Sequence, residues 1–199
     1  MPYENIMLVD DSASSRLCLR LLYEEQGHKI IGEYDSIRAF NSAKTHEQPS
    51  LISLDYSLSD GTGVSLYKKI KKTLPHVPIF FVTSTLTPSQ LMEMYETGTP
   101  AILHKENLEA MPKVINYIQR GQRYFDEDTS SRLLELHSMC QHLTLVERRT
   151  FLALLSCKTI TKVAENLSMA DRTIRCHKQK IIVKLGKNIF NQYSKVQHR

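Results

Sequence analysis

Two carboxylates, Asp10 and Asp11, stand side by side where the short apolar run NIMLV ends. A third, Asp55, follows the apolar run LISL. If these acids meet in the folded chain, their mutual repulsion must be relieved by protonation or by a cation between them. Oxygen ligands in an open site suit Mg²⁺, which often accompanies phosphoryl groups. The acids therefore predict a Mg²⁺ site with Asp10, Asp11 and Asp55 as ligands.

Two further polar groups follow apolar runs later in the chain. Thr83 closes the run IFFVT, and Lys105 closes AILHK. A hydroxyl and an ammonium beside a carboxylate-bound metal would bind a phosphoryl group well. In this arrangement Asp55 acts as the nucleophile, Lys105 neutralises phosphoryl oxygens and Thr83 donates a hydrogen bond. The predicted chemistry is phosphoryl transfer to an aspartate.

An alternating pattern of apolar runs and amphipathic stretches positions these groups. The pattern predicts a (βα)5 unit, in which parallel strands alternate with helices and ligands collect at the carboxyl ends of the strands. The predicted strands are NIMLV, HKIIGEY, SLISL, PIFFVT and AILHK. The predicted helices cover residues 14–26, 37–43, 63–74, 88–97 and 108–120.

The order of these groups resembles the receiver domain of two-component response regulators. The resemblance implies a doubly wound, flavodoxin-like sheet of order 2-1-3-4-5 and phosphorylation of Asp55 by a sensor histidine kinase or phosphotransfer protein. It also implies that Asp10 and Asp11 bind the metal, that Tyr56 adds a backbone carbonyl ligand, and that Thr83 is the switch hydroxyl. Two departures stand out, because the usual aromatic switch position holds Ile102 and the usual small residue after the switch hydroxyl is Ser84.

The last quarter of the chain differs in charge and in pattern. Residues 1–142 hold 14 lysines and arginines against 18 acidic residues, a net charge of −4, whereas residues 143–199 hold 12 against 3, a net charge of +9. Strand signals disappear there and helical periods follow one another. A basic, all-helical segment after an acidic body favours binding to a polyanion such as double-stranded DNA.

Two short helices joined by SMAD have the plan of a helix-turn-helix, whose second helix enters the major groove. In that helix Ile174, Ile181 and Leu185 predict one buried stripe. The residues from Leu143 to Gly186 resemble the LuxR-type helix-turn-helix of NarL and FixJ family regulators. The resemblance implies base contacts from Arg175, Cys176 and Gln179. The other predicted DNA contacts are Arg172, Thr173, Lys178 and Lys180. Ala170 occupies the usual cap position, so Asp171 or Ser168 is expected to cap this helix.

Together these patterns predict a receiver at residues 1–121, a linker with a helix at 122–142 and a DNA-binding domain at 143–199. We expect a cytoplasmic, phosphorylation-controlled regulator that forms a homodimer when active, with a dimer face in the segment GKNIFNQYSKVQ, and no membrane contact. Two alternatives stay open. One is a DNA-binding regulator with an atypical receiver that works without phosphorylation, and the other is a metal-dependent phosphohydrolase. Apart from chemistry at Asp55 itself, enzyme activity is not expected.

Overall fold

The computed structural model describes residues 5–43, 47–84, 86–157, 159–188 and 190. The chain divides into two compact units, the first formed by Met1–Thr85 and Glu93–Asp126, the second by Leu86–Met92 and Glu127–Arg199. The predicted domain limits at residues 121 and 142 remain predictions. Most of the expected dimer segment, GKNIFNQYSKVQ, lies outside the described residues. Among the described residues, no helix has the length and apolar character needed to cross a bilayer.

The first unit contains a five-stranded parallel sheet with the order β2-β1-β3-β4-β5. This order confirms the predicted flavodoxin-like fold. The strands lie within the predicted runs. Both faces are buried in every strand except the one within HKIIGEY, an edge strand that is only partly buried. The strands are β1 (Asn5–Val9), β2 (Lys29–Tyr34), β3 (Leu51–Leu54), β4 (Ile79–Thr83) and β5 (Ile102–His104).

Five α-helices follow the strands in turn along the chain, close to the predicted ranges, and the fourth begins in the second unit and ends in the first. They are α1 (Ala13–Glu25), α2 (Ile37–Ser42), α3 (Gly63–Thr73), α4 (Pro88–Glu96) and α5 (Met111–Gln119). The last predicted helix begins later than expected, because Leu108–Ala110 forms a 3-10 turn and Pro112 suits the first turn of α5. After β3, residues 57–58 and 61–62 pair as a short antiparallel hairpin that the sequence did not predict.

The core packs on both faces of the sheet. On one face, α1 and α5 cover β1, β4 and β5 in a cluster that includes Tyr23, Phe80 and Ile115. On the other face, Tyr67 of α3 stacks on Phe81 of β4, with ring centroids 5.8 Å apart. The two buried faces explain why the strand runs are continuously apolar. The sheet therefore holds the carboxyl ends of β1, β3, β4 and β5 in fixed positions.

The second unit is helical and confirms the predicted all-α architecture. Its helices are α6 (Glu127–Cys140), α7 (Leu145–Ser156), α8 (Ile160–Leu167) and α9 (Asp171–Leu185). Ile174, Ile181 and Leu185 of α9 are buried, as their spacing predicted. The small core between α7, α8 and α9 includes Ala153, Val163 and Ile174.

The predicted caps of α9 are wrong. Ala170 is the N-cap residue and makes no side-chain cap bond. Ser168 instead ends α8 in a left-handed conformation with φ 52°, and Asp171 lies in the first turn of α9. The Asp171 carboxylate accepts a hydrogen bond from Thr161 Oγ1 at 3.4 Å. The negative charge of Asp171 still favours the start of the helix, because the helix dipole is positive there.

Candidate functional site

The structure brings the three predicted acids together at one edge of the sheet. Asp10 follows β1, where its backbone N–H donates to the Tyr34 carbonyl at 3.0 Å, and Asp55 follows β3, where its N–H donates to the Val9 carbonyl at 2.8 Å. One carboxylate oxygen from each of Asp10, Asp11 and Asp55 lies within 4.8 Å of the others. Asp10 and Asp55 are buried, whereas Asp11 is exposed.

Lys105 reaches into this cluster from the end of β5. Its Nζ lies 2.5 Å from Asp10 Oδ2 and 2.8 Å from Asp55 Oδ2. The backbone N–H of Lys105 donates to the Thr83 carbonyl at 2.9 Å, which fixes the residue to the neighbouring strand. Its side chain is only 14% exposed, so its charge acts in a partly dehydrated site. Lys105 therefore bridges the two buried carboxylates directly.

The charges in the site do not balance, because three carboxylates face one ammonium. Burial raises the pKa of Asp10 above its usual range, although the hydrogen bond from Lys105 pulls it down. For Lys105, burial alone would lower the pKa, but its bonds to Asp10 and Asp55 outweigh burial and raise the pKa. The raised pKa of Asp10 and the raised pKa of Lys105 both mean that the site favours additional positive charge.

This donor set fits Mg²⁺. The three carboxylates can supply hard oxygen ligands, and the exposed Asp11 leaves one side open to water, which Mg²⁺ retains as a ligand. The carbonyl of Tyr56, the predicted backbone ligand, accepts a hydrogen bond from the Gly63 N–H at 2.7 Å. A carbonyl oxygen has two lone pairs, so this bond leaves one available.

Thr83, the last predicted group, ends β4 and is 2% exposed. Its partner in the strand register is His104, the residue immediately before Lys105. This pairing places the threonine beside the strand that carries the lysine. The predicted residues of the acceptor and metal site therefore stand at the carboxyl ends of their strands or one or two residues beyond.

Three residues of the first turn of α1 also touch the site, and sequence reasoning missed them. The Ser12 N–H donates to Asp10 Oδ1 at 2.9 Å, and Arg16 donates from Nη1 to the Asp10 carbonyl at 2.6 Å. Ser15 Oγ lies 3.4 Å from Lys105 Nζ. Ser12 is the N-cap of α1, so neither aspartate caps this helix. The motif DDSASSR contains these residues, but their contacts depend on where the helix starts.

Gly63 makes the closest backbone approach at the site. A Cβ atom at this position would lie 2.0 Å from the Asp55 carbonyl oxygen and 3.2 Å from Leu54 Cγ. Only glycine leaves space for that carbonyl. The spacing of Gly63 from Asp55 is visible in the sequence, but the need for glycine becomes clear only from this approach.

In the second unit, α9 presents most of the predicted DNA contacts to solvent. Arg172, Thr173, Arg175, Cys176, Gln179 and Lys180 are exposed. Lys178 is half-buried, and its Nζ lies 5.4 Å from the ring centroid of Phe190. Lys178 therefore combines its positive charge with a packing role.

An ion pair joins α7 and α9 of this helical unit. Lys184 of α9 donates to Glu147 Oε2 of α7 at 2.6 Å. The same carboxylate oxygen accepts from the Thr144 N–H at 2.9 Å and completes a capping box at the start of α7. The Lys184 hydrogen bond is the main cause that lowers the pKa of Glu147 to about 2.

This pair predicts a pH-dependent contribution to the stability of the second unit. Because the folded pKa of Glu147 lies below the unfolded value of about 4.3, its contribution is fully present above that value and is lost as pH falls towards about 2. Urea unfolding followed by circular dichroism should show a gap between wild type and Glu147→Gln that is largest near neutral pH and closes in acid. Glu165→Gln, at an exposed site on α8, is the control and should show no such gap. A gap independent of pH would contradict the ion pair.

Comparison with known proteins places the site within a family. A family model described as the response regulator receiver domain matches residues 6–116. Among curated proteins, the transcriptional regulatory protein RcsB of Salmonella typhi is 26% identical over 192 residues, which cover 92% of this chain and 88% of that protein. RcsB of Escherichia coli K12 has the same identity and coverage.

Solved structures of RcsB share the fold. A structure of two RcsB dimers bound to two parallel DNAs matches with a TM-score of 0.69 at 23% identity, over 98% of this chain and all of that chain. RcsB from Salmonella enterica serovar Typhimurium, bound to the promoter rprA in the presence of the phosphomimetic BeF3−, matches with a TM-score of 0.68 at 22% identity. That match covers 96% of this chain and 98% of the other.

Proposed function

The chain belongs to the response regulator receiver family, and from that premise we propose that it is a transcription regulator controlled by phosphorylation of Asp55. The bridging of Asp10 and Asp55 by Lys105, at distances of 2.5 and 2.8 Å, is the observation that supports this proposal most. It joins an acceptor carboxylate, an acidic metal ligand and a phosphate-binding cation in one site. Similarity to RcsB, a transcriptional regulatory protein, supports the regulation of transcription as the proposed function.

The acceptor chemistry follows from the positions of these groups. A carboxylate oxygen of Asp55 attacks the phosphorus of a donor, an acyl phosphate bond forms, and the bond from phosphorus to the donor's leaving group breaks. A bound Mg²⁺, held by Asp10, Asp11, Asp55 and the Tyr56 carbonyl, would supply charge neutralisation for the phosphoryl oxygens. Lys105 turns from the carboxylates to the new phosphoryl group, and Thr83 donates to it.

The donor is a phosphohistidine of a sensor kinase or of a phosphotransfer protein. The chain performs only this self-phosphorylation and the later hydrolysis, in which water attacks the acyl phosphate, frees the Asp55 carboxylate and releases inorganic phosphate. It is therefore a regulator rather than an enzyme acting on external substrates. We place it in the cytoplasm, where DNA and the kinase's phosphorylated domain would both reach it. As the active form we propose a homodimer, since paired α9 helices would read two half-sites.

The exposed face of α9 is the proposed DNA-reading surface. Arg175 suits the acceptor edge of guanine and Gln179 the edge of adenine. Cys176 lies between them as a small base contact. The phosphate contacts are Arg172, Thr173, Lys178 and Lys180.

A binding experiment with a phosphate mimic tests the proposed function. Because the operator is unknown, the duplex comes from selecting a random DNA pool with the full chain. Affinity for that duplex is then measured with Mg²⁺, with and without BeF3−, for wild type and Asp55→Asn. Phosphorylation adds charge and acceptor oxygens at the site, so a shift in affinity should occur in wild type alone. An equal affinity under all four conditions would contradict control by Asp55.

The two kinds of DNA contact predict different defects on the same duplex. Arg175→Ala should cost about 1–3 kcal/mol and relax the preference for one base position. Lys180→Ala should weaken binding to all sequences alike and lower the slope of log affinity against log salt by about 1. Lys72→Ala, at an exposed position on α3 of the receiver, is the charge-matched control and should leave affinity unchanged. A uniform loss in Arg175→Ala would contradict the base contact.

One alternative has a structural feature in its favour. Ile102, at the usual aromatic switch position, is buried and lacks a ring, and Ser84 is exposed beside Thr83. These departures favour a receiver that controls DNA binding without phosphorylation. Failure of small phosphodonors to modify Asp55, with DNA binding retained, would support this alternative. Turnover of a small phosphate ester would instead support a phosphohydrolase, which no contact in the described residues favours.

A further inference from the structure

Helix α4 is held at two points by side chains that have no role in the proposed acceptor chemistry. On one side, the Tyr56 hydroxyl donates to Glu93 Oε2 at 2.8 Å, which ties the residue after Asp55 to the helix. Two positions later on the helix, the Tyr95 ring contacts the Arg123 guanidinium at 4.7 Å from its centroid. Successive residues of a helix are turned by about 100°, so Glu93 and Tyr95 point in different directions. The helix is therefore anchored on two sides.

Arg123 belongs to the segment that leaves the receiver fold, residues 121–126, here named the exit segment. Its guanidinium contacts two rings, 4.7 Å from the Tyr95 centroid and 4.9 Å from the Phe125 centroid, and the two ring centroids lie 5.9 Å apart. The Arg123 Nε also donates to the Thr99 carbonyl at 3.2 Å, and the Tyr124 N–H donates to the Pro100 carbonyl at 2.8 Å. The exit segment thus runs beside the start of β5 and is clamped to α4.

These contacts form a continuous series from the acceptor site to the exit segment. It begins at the Asp55–Tyr56 backbone, passes through the hydroxyl bond to Glu93, crosses α4 to Tyr95 and ends at Arg123. A helix moves as a rigid element, so a displacement at Glu93 also moves Tyr95. The buried Ile102 offers no aromatic ring to transmit a change from Thr83. The contacts through Tyr56, Glu93, Tyr95 and Arg123 therefore form a different physical link between the acceptor site and the exit segment.

We propose that the Tyr56–Glu93 hydrogen bond and the cluster of Tyr95, Arg123 and Phe125 carry the state of Asp55 to the exit segment. The inference rests on the proposed function and names its route of regulation. When Asp55 gains a phosphoryl group, the backbone of Asp55 and Tyr56 readjusts, because the Tyr56 carbonyl lies at the proposed metal site. The hydroxyl bond transfers this readjustment to α4, and the cluster transfers it to the exit segment, which leads to the DNA-binding unit.

Hydrogen exchange on the full chain, with Mg²⁺ and with or without BeF3−, tests the link. In wild type, BeF3− should change exchange at residues 55–62 between β3 and α3, here named the acceptor loop, at α4 and in the exit segment. Glu93→Ala should leave the acceptor-loop change in place and reduce the changes in α4 and the exit segment by roughly 2- to 30-fold. Arg123→Leu should retain the change in α4 and lose it in the exit segment alone. Glu109→Ala, which removes an exposed receiver carboxylate, is the control and should respond like wild type.

A double variant tests whether the effect of Glu93 runs through Tyr56. Because both substitutions break the same bond, Tyr56→Phe with Glu93→Ala should give no further loss in α4 beyond Glu93→Ala alone. A wild-type response in α4 and the exit segment of Glu93→Ala would overturn the link, as would a retained exit-segment response in Arg123→Leu. The absence of any BeF3− response in wild type, including the acceptor loop, would instead reject the proposed function.

Discussion

A Gly63→Ala chain should lose much of the stability of its receiver and most of its capacity to be phosphorylated at Asp55. The new Cβ would lie 2.0 Å from the Asp55 carbonyl oxygen, far inside van der Waals contact. Relief requires movement of either the backbone of the acceptor residue or the start of α3, whose first residue is Gly63. We expect a cost of about 3 kcal/mol or more, because the obstacle is backbone rather than a flexible side chain.

Thermal unfolding by circular dichroism and phosphorylation by acetyl phosphate measure the two losses. The matched control is Gly98→Ala, where φ is +79° and no atom lies within 4 Å of the added Cβ. That variant bears only the strain of a left-handed backbone, about 1 kcal/mol, and should remain phosphorylatable. Equal stability of the two variants would contradict the close approach at Asp55.

Replacing Lys105 with methionine should abolish the response of DNA binding to BeF3− and also destabilise the receiver. The substitution keeps a long apolar side chain but leaves the buried Asp10 and Asp55 without their cation. Removing one partner of a buried ion pair typically lowers the free energy of unfolding by about 3–5 kcal/mol. We expect a loss of about 3 kcal/mol here, because Asp10 can take up a proton. The phosphoryl group would also lack its protein cation, so the receiver could not reach its active arrangement.

The stability loss should be smaller when Mg²⁺ is added, since a divalent cation compensates the same carboxylates. Urea unfolding with and without Mg²⁺ measures this dependence, and Lys68→Met, at an exposed position on α3, is the control. Mg²⁺ should raise the free energy of unfolding of the control and of wild type equally, and it should raise that of Lys105→Met by more. If Mg²⁺ stabilised none of the three chains, the acids would not form a metal site.

The strands and the order of the site residues could be predicted because they depend on local patterns. Continuous apolar runs such as IFFVT mark strands buried on both faces, and the residue that ends each run must lie at the carboxyl edge. Asp10, Asp55 and Lys105 meet for this reason alone. The buried stripe of α9 was predictable in the same way, since Ile174, Ile181 and Leu185 repeat with the helical period.

Features that depend on helix starts and on distant contacts could not be predicted. Arg16 lies in the first turn of α1, whose cap is Ser12, and its guanidinium reaches back to the Asp10 carbonyl. The cap of α9 was wrongly assigned because Ser168 adopts a left-handed conformation that closes α8. The Tyr56–Glu93 bond joins residues 37 positions apart, and nothing local signals it. Such contacts follow from how helices pack on the sheet.

Intact mass spectrometry tests most directly whether Asp55 accepts a phosphoryl group. The full chain is incubated with Mg²⁺ and acetyl phosphate beside Asp55→Asn, which preserves the shape of the side chain. The proposal predicts a mass gain of one phosphoryl group in wild type, absent from the variant and from a wild-type sample without Mg²⁺. An equal gain in wild type and Asp55→Asn would place the phosphoryl group elsewhere, and no gain in either would contradict phosphorylation control by this donor chemistry.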